Sequence, residues 1–296
     1  MKKDNKILGI FYIVLAGFCF SLMTFFVRKA GNLPTMEKAF FRNAVAVVVA
    51  AVTLARSPEG FRMKKGSAPD IFGRCLFGTT GMVCNFYAID HLALADANML
   101  NKLSPFFAII MSAIILKEKP KKIEWVAVAV AMAGTLFVVK PSFNIQFFYG
   151  LVGVYGGFGA GLAYTFVHRL GSRGERGSLI VFCFSVFSCL FTLPFMVVSF
   201  VPMTVKQLLI MLLAGISATG GQFCITTAYT KAAARDISVF DYSQIIFAAL
   251  IGFFFLDELP DVLSFIGYTL IIGVAVWKWW YLTRPEKVSD RENTPG

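Results

Sequence analysis

Two stretches of forty residues determine how this chain is interpreted. Residues 81–120 are GMVCNFYAIDHLALADANMLNKLSPFFAIIMSAIILKEKP, and residues 221–260 are GQFCITTAYTKAAARDISVFDYSQIIFAALIGFFFLDELP. An apolar composition alone makes alanines and leucines coincide, but it does not bring aspartate, glutamate, proline and cysteine into register. The sequence therefore contains an internal repeat. Aligned without a gap, the two stretches are identical at ten positions, which are Gly81/Gly221, Cys84/Cys224, Ala88/Ala228, Ala93/Ala233, Asp96/Asp236, Phe107/Phe247, Ala108/Ala248, Leu116/Leu256, Glu118/Glu258 and Pro120/Pro260.

The composition around these stretches is that of a membrane protein. Of the 296 residues, 57% are hydrophobic and only 15% are charged, and the mean hydropathy is +0.70. A typical soluble domain is about 25% charged. One soluble domain of this length would have to bury more apolar surface than its core can hold. The composition therefore excludes an ordinary cytosolic enzyme, a disordered chain and a collagen-like fibre.

Ten stretches of the chain are long and apolar enough for a transmembrane helix, which needs about 20 residues. The connections between them are short and carry glycine, proline or charge, as in Gly31-Asn32-Leu33-Pro34. The predicted fold is an all-α membrane protein with ten transmembrane helices. The predicted spans are residues 7–27, 35–55, 69–89, 95–116, 123–140, 149–169, 178–200, 206–230, 236–256 and 261–282.

The repeat must be inverted, because its offset of 140 residues covers five predicted spans and five is odd. Two such copies enter the membrane from opposite sides. We expect a first five-helix repeat over residues 7–140, a second over residues 149–282, and a polar cytoplasmic tail over residues 283–296. Inverted repeats build many secondary transporters, in which one half rocks against the other around a site at the midplane. The predicted architecture therefore favours transport by alternating access.

The basic residues predict the orientation in the membrane. The chain has 28 Lys and Arg against 17 Asp and Glu, a formal net charge of +11. If the N-terminus is cytoplasmic, nineteen basic residues fall in inside segments and only four in outside segments. This asymmetry predicts that both termini lie in the cytoplasm. We expect a multi-pass protein of the plasma membrane. Because the charges lie in short connections, no nucleic-acid partner is expected. The four outside residues are Arg28, Lys29, Lys140 and Lys206.

Charged and amide side chains occupy equivalent depths in the fourth and ninth predicted spans. Asn98, Asn101 and Lys102 are spaced to share one helix face, and Asp241 and Tyr242 hold matching positions in the second repeat. An ionised group at this depth costs several kcal/mol unless it faces the bundle interior, a partner or water. The pattern predicts a central cavity lined by both repeats. A purely structural ion pair of Lys102 and Asp241 is the alternative, and the two interpretations can coexist.

Other polar residues inside predicted spans are weaker candidates. Arg42, in the second span, either binds an anionic substrate group or has a structural role. Asp96 and Asp236 each begin a span and are interpreted as helix N-caps. Glu118 and Glu258 follow helix ends and are interpreted as fixing the turn into the next helix. Further side chains that would line the cavity, if they are not packing contacts, are Gln244, Tyr87, Gln222, Thr226, Asn85 and Tyr164.

No motif in the sequence predicts catalysis or a bound cofactor. The six cysteines lie within predicted spans and form no CxxC pair, and the two histidines have no companion ligands. The sequence contains neither a GxxxxGK[ST] phosphate loop nor a GxSxG nucleophile motif. We therefore expect a protein that is not an enzyme, holds no metal or cofactor, and does not itself drive transport with ATP.

The motifs of both halves resemble those of a known superfamily. Residues 94–97 (Leu-Ala-Asp-Ala), Ser104-Pro105 and residues 116–120 (Leu-Lys-Glu-Lys-Pro) are echoed by residues 241–244 (Asp-Tyr-Ser-Gln) and 256–260 (Leu-Asp-Glu-Leu-Pro). The chain thereby resembles the drug/metabolite transporter superfamily, most of all its EamA-type branch and the G-type solute-carrier relatives, over residues 7–282. The resemblance implies ten helices in two EamA-type repeats around a central cavity. Arg42 matches the arginine often found in the family's second span. Family members carry amino acids, nucleotide-linked sugars, S-adenosylmethionine and other metabolites.

We therefore expect a secondary transporter, either exporter or importer, of a small polar or amphipathic metabolite such as an amino acid. Lys102 and Arg42 are expected to bind anionic groups of the substrate, while Asp241 binds a cationic group or carries a coupling proton. Exchange against a counter-substrate is the other form of coupling. The alternatives are a flippase for a lipid-linked carrier with the same fold, and a membrane enzyme or sensor that transports nothing. The sequence does not indicate the oligomeric state.

Overall fold

The computed structural model describes residues 3–117, 120–139, 145–231 and 238–283. Within these ranges all regular structure is helical. Residues Ser112–Leu116 form a π-helical turn, and residues Ser238–Tyr242 form a 3-10 turn. The helices are α1 (Lys3–Lys29), α2 (Thr35–Ala55), α3 (Ala68–His91), α4 (Leu94–Asn101), α5 (Ser104–Met111), α6 (Lys122–Val139), α7 (Ile145–Ser172), α8 (Gly177–Val198), α9 (Val205–Lys231), α10 (Ser243–Leu256) and α11 (Val262–Thr283).

Every predicted span overlaps a helix of the structure, and the all-helical fold class is confirmed. Seven helical segments in the described residues are long and apolar enough to cross a membrane, and the segment Phe240–Leu256 is apolar but shorter. Helices α3 and α6 coincide with predicted spans but are not among the seven, so the count of ten spans stays a prediction. Lys140 and residues 284–296 of the predicted tail lie outside the described residues.

The main helix pairs join residues 7–140 to residues 149–282. Helix α1 packs along α9, α3 along α7, α2 against α8, and α6 against α11. Apolar side chains from both halves fill the space between them, for example Val27 and Phe86 with Met211 in one cluster, and Phe106 with Ile271 in another. The two halves are thus packed into each other rather than side by side, and the space at their centre is bounded by both.

Glycines allow α7 to approach its neighbours closely. A Cβ on Gly159 would lie 2.7 Å from the Cα of Gly81 on α3. A Cβ on Gly161 would lie 2.6 Å from the carbonyl oxygen of Ser104 on α5. Real Cβ atoms keep more than about 3 Å from such neighbours, since closer approach brings steric repulsion. The glycine positions on α7 therefore set the helix separation, as small residues do in membrane helix pairs.

We expect Gly159→Ala to destabilise the protein by about 1–3 kcal/mol, because the added methyl group meets backbone atoms of α3 that cannot rotate away. Gly171→Ala on the same helix is the matched control, since a Cβ there has no neighbour within 4 Å. The measurement is the unfolding midpoint of the purified proteins in the same detergent. Equal midpoints for the two variants would contradict the close contact of α3 and α7.

The fourth predicted span is not one continuous helix. Helix α4 ends at Asn101 and α5 begins at Ser104, with Lys102 and Leu103 between them. The cause is Pro105, which lacks an N–H and whose ring crowds the carbonyl four residues earlier. The break follows the predicted face of Asn98, Asn101 and Lys102, since the Lys102 N–H still donates to the Asn98 carbonyl oxygen at 3.0 Å as in a helical turn. The ninth span is also irregular at its start, where the 3-10 turn leads into α10.

Candidate functional site

An ion pair joins the two irregular segments. The Nζ of Lys102, at the break between α4 and α5, lies 2.6 Å from Oδ2 of Asp241 in the 3-10 turn. The hydroxyl of Tyr242 donates a hydrogen bond to the Lys102 carbonyl oxygen at 3.3 Å. The side chains of Lys102 and Asp241 are 8% and 13% exposed. Two charges at this depth compensate each other. This ion pair is the alternative that the sequence left open beside a substrate-binding role, and the two can coexist.

A chain of amide and hydroxyl groups lies beside the ion pair. The amide of Gln244 donates to Oδ1 of Asn98 at 2.7 Å, and the Asn98 amide donates to the Leu94 carbonyl at 2.7 Å. Ser21 donates to the carbonyl oxygen of Gln244 at 2.8 Å. These bonds tie α4 of the first half to α10 of the second and to α1, so the network fixes the wall of the central space.

A cavity of about 780 Å³, counting its open mouth, lies between the two halves. Helices of both halves line it, as expected from the sequence. Tyr164, on α7, is 46% exposed although it belongs to this wall, so its ring contributes open surface there. The lining side chains are Phe20, Met23, Thr24, Arg42, Arg74, Met82, Asn85, Phe86, Asn101, Lys102, Ala163, Tyr164, Phe184, Gln222, Ile225 and Gln244, with Gly78 and Ala160.

Two arginines give this cavity an excess of positive charge. Arg42 and Arg74 are each 7% exposed, and neither forms an ion pair with a carboxylate in the described part of the chain. Arg42 donates to Oδ1 of Asn43 at 2.8 Å, and the Arg74 guanidinium lies 4.2 Å from the ring centroid of Phe184. The Nε atoms of both arginines are buried with no hydrogen-bond partner in the described structure. A cavity of this kind attracts an anion.

Arg74 is the residue that the sequence analysis missed. It lies within the predicted span 69–89, and a basic residue inside a span is itself a signal of function. Because it stands near the end of that span, its position alone does not distinguish an inward side chain from one that reaches outward to the membrane surface. The structure instead turns it inward, where Gly78 leaves the room that its guanidinium occupies.

The structure brings together part of the predicted site. Arg42, Asn101, Lys102, Gln222 and Gln244 line the cavity. Asp241, Asn98 and Tyr242 lie behind the wall, where they hold its lining residues in place. Tyr87 is elsewhere, with its ring 4.3 Å from that of His91 near the end of α3. The side chain of Thr226 lies outside the described residues, and so do Asp236 and Glu118.

Charged contacts close the end of the bundle where α1 leads into α2. Arg28 Nη2 lies 2.6 Å from Oε1 of Glu258, and the other Glu258 oxygen accepts the Leu94 backbone N–H at 2.7 Å. The interpretation of Glu258 as fixing the turn after its own helix is therefore wrong, because its carboxylate binds the positive end of the α4 dipole. The N-cap interpretation of Asp96 is wrong as well, since its carboxylate accepts the Tyr268 hydroxyl at 2.7 Å.

A second charged cluster lies at the end where α2 leads into α3. Asp70 pairs with Arg173 at 2.7 Å and with Arg169 at 3.4 Å. Glu175 accepts the Lys64 backbone N–H at 3.0 Å. Burial raises the pKa of Glu175, but hydrogen bonds from backbone N–H groups outweigh it and hold the pKa below its ordinary value of 4.5. The loops of the two halves are therefore linked at this end too.

Two relatives whose names describe solute transport cover most of this chain. The pseudopaline exporter CntI of Pseudomonas aeruginosa (strain UCBPP-PA14) is 34% identical over 272 residues, which make up 90% of this chain and 94% of the relative. Solute carrier family 35 member G1 of Mus musculus is 26% identical over 296 residues, covering 92% of this chain and 79% of the relative. One crystal structure matches 96% of this chain and all of its own at a TM-score of 0.67 and 16% identity, which shows a shared fold alone.

The apolar helices, the central cavity and these relatives define a multi-pass membrane transporter and not an enzyme. The EamA-like transporter family matches residues 7–140. The chain belongs to this EamA-type family of the drug/metabolite transporter superfamily. The resemblance carried by the motifs of the two repeats is thereby confirmed.

Proposed function

We propose that this protein is a secondary active exporter of a small organic metabolite that carries at least one carboxylate, such as an amino acid or a related compound. The observation that carries the proposal is the cavity in which Arg42 and Arg74 are buried without a carboxylate partner among the described residues. A buried guanidinium without an anion is costly, so a bound carboxylate would relieve that cost. The relationship to the pseudopaline exporter supports the outward direction.

Alternating access between two inverted five-helix repeats, residues 7–140 and 149–282, is the proposed mechanism. A pseudo-two-fold axis would exchange the pair α1 and α9 with the pair α7 and α3, and both pairs pack closely. The same axis would exchange Lys117 with Asp257. Each of these residues directly follows a helix end and has a positive φ, 56° for Lys117 and 54° for Asp257. These matches support the inverted repeat. Rocking one half against the other would expose the cavity to each side in turn.

The proposed orientation places both termini and the connection between α2 and α3 in the cytoplasm of a plasma-membrane protein. The nineteen-to-four distribution of basic residues supports it. In this orientation the Asp70 and Glu175 cluster closes the cytoplasmic side, and the Arg28–Glu258 contact closes the outer side. Export then requires the cytoplasmic cluster to open before the outer contact does.

The ion pair of Lys102 and Asp241 provides a way to couple substrate binding to the movement of a proton. A substrate carboxylate that takes a hydrogen bond from Lys102 competes with Asp241, whose Oδ1 is buried without a hydrogen-bond partner in the described structure. We propose that Asp241 then carries the coupling proton, while exchange against a counter-substrate is the other form that the same competition supports.

The experiment is counterflow in proteoliposomes. Vesicles that contain the purified protein are loaded with unlabelled pseudopaline and diluted into labelled pseudopaline. We expect label to accumulate well above the level in protein-free vesicles, and an inward proton gradient to change the rate. The same vesicles are assayed for movement of a fluorescent phospholipid between leaflets. Phospholipid movement without counterflow of pseudopaline or of any amino acid would replace the proposal with a flippase.

A further inference from the structure

We propose that the substrate is an amphipathic anion whose apolar segment lies in a groove between α2, α8 and α9 while its carboxylate is held by Arg42 and Arg74. This inference rests on the proposed function and names the substrate class of the same site. The groove has a volume of about 590 Å³, counting its open side. Its walls include Ala46, Val49 and Ala50 of α2, Val181 of α8 and Phe223 of α9.

The groove adjoins the cationic cavity. Arg42, Phe184 and Gln222 line both spaces, so the two meet at the side chain of Arg42. From Arg42 the groove follows α2 as far as Thr53, which corresponds to about 16 Å along the helix axis. A molecule whose carboxylate contacts Arg42 can therefore place its remaining part in the groove.

The walls of the groove differ in chemistry from those of the cavity. The cavity contains basic, amide and phenol side chains, whereas the groove beyond Arg42 is bounded mainly by alkyl and aromatic groups. The polar side chains of this surface beyond Arg42 are Thr53, Ser178, Ser185, Thr219 and Gln222. The hydroxyls of Thr53 and Thr219 donate to carbonyl oxygens of their own helices at 2.8 Å, while the Oγ of Ser185 is buried without a hydrogen-bond partner in the described residues. An apolar segment would lose contact with water there at no cost in hydrogen bonds, whereas a strongly polar one would leave its groups unsatisfied.

The position of the groove also separates it from the outer lipid-facing surface of α2. Val48 and Val52 on the same helix are 63% and 47% exposed and do not line the groove, while Ala46 and Ala50 are buried. The groove-lining residues Ala46, Val49, Ala50 and Thr53 recur at intervals of three and four, which is one face of the helix. Helix α2 therefore presents one apolar face to the groove and a different one to its surroundings.

The test uses three probes that each carry one carboxylate and differ in their apolar part: N-acetylglycine, N-acetylleucine and N-acetylphenylalanine. Their dissociation constants are measured by titration calorimetry on the protein in lipid nanodiscs. We expect wild type to bind N-acetylphenylalanine about tenfold or more tighter than N-acetylglycine, as burial of an aromatic side chain implies. Val49→Trp fills the groove and should bring this ratio close to one. Val48→Trp places the same side chain on the exposed face and should keep the wild-type ratio.

Val181→Trp fills the groove from the opposite wall and gives an independent measurement if Val49→Trp does not fold, as judged by its unfolding midpoint. An unchanged ratio in the folded groove-filling variants would overturn the inference. If those variants instead lose a phospholipid that co-purifies with wild type, while the ratio is unchanged, the groove holds lipid. Arg74→Gln should weaken all three probes to the same degree. If it weakens none of them, the proposed anion site is wrong whatever the ratios are.

Discussion

Arg74→Gln is expected to lower the initial rate of transport at non-saturating substrate by about 30- to 1,000-fold, the range given by a loss of 2–4 kcal/mol when one member of a buried charge pair is removed. Arg74 faces the cavity with no carboxylate partner in the described structure, so the substrate anion would be its partner. Glutamine keeps a hydrogen-bond donor of similar shape but removes the charge. Counterflow in proteoliposomes measures the effect.

Two further variants make this result specific. Arg74→Lys keeps the charge but not the planar pair of donors, so we expect an intermediate rate. Arg62→Gln removes the same charge from an exposed loop position and should keep the wild-type rate. A wild-type rate for folded Arg74→Gln would show that Arg74 has a structural role, and the anion site would then rest on Arg42 and Lys102.

The second large effect concerns the ion pair between the two irregular segments. Removing either charge alone, by Lys102→Gln or Asp241→Asn, should destabilise the protein by about 3–5 kcal/mol, because the remaining buried charge has lost its compensation. The double variant leaves two neutral amides at the same place and should recover most of this loss. The unfolding midpoints of the four proteins form a double-mutant cycle that isolates the interaction.

Transport separates the structural and functional roles of the same pair. We expect the double variant to fold and yet to be inactive in counterflow, because neither a lysine for the substrate carboxylate nor a titratable aspartate remains. A double variant that is both stable and fully active would reduce the pair to a structural contact between the two halves. Failure of the double variant to recover stability would instead contradict direct pairing of these two residues.

Much of the fold follows from the sequence by local rules. Runs of about 20 apolar residues separated by glycine, proline and charge predict helices, and each predicted span overlaps one. The repeat and its family motifs also led to the EamA-type family, which the relatives confirm. The inverted arrangement and the full count of ten spans stay predictions, supported by the exchange of helix pairs rather than observed in a membrane.

The substrate-binding roles of the predicted site residues stay predictions, while the structure does show which contacts these residues make. Lys102 and Asp241 stand out because ionised groups inside an apolar run need a partner, and the structure pairs them. The contacts of Asp96 and Glu258 were not predicted from the sequence. Asp96 binds a tyrosine 172 residues away, and Glu258 binds a backbone N–H 164 residues away. Local helix-capping rules carry no information about contacts at such separations.

By itself the sequence determined that this protein is an all-helical membrane transporter of the EamA-type family, and it predicted two repeats with opposite charges at matching depths. Hydropathy and the offset of the repeat suffice for this, because both are properties of the linear sequence and do not depend on which helices touch. Only the tertiary structure decided that Arg74 turns inward, that the fourth span breaks at Lys102, and that a groove between α2, α8 and α9 meets the cavity at Arg42. The reason is physical: the direction of a side chain within a bundle depends on which helices pack around it, and these come from distant parts of the chain.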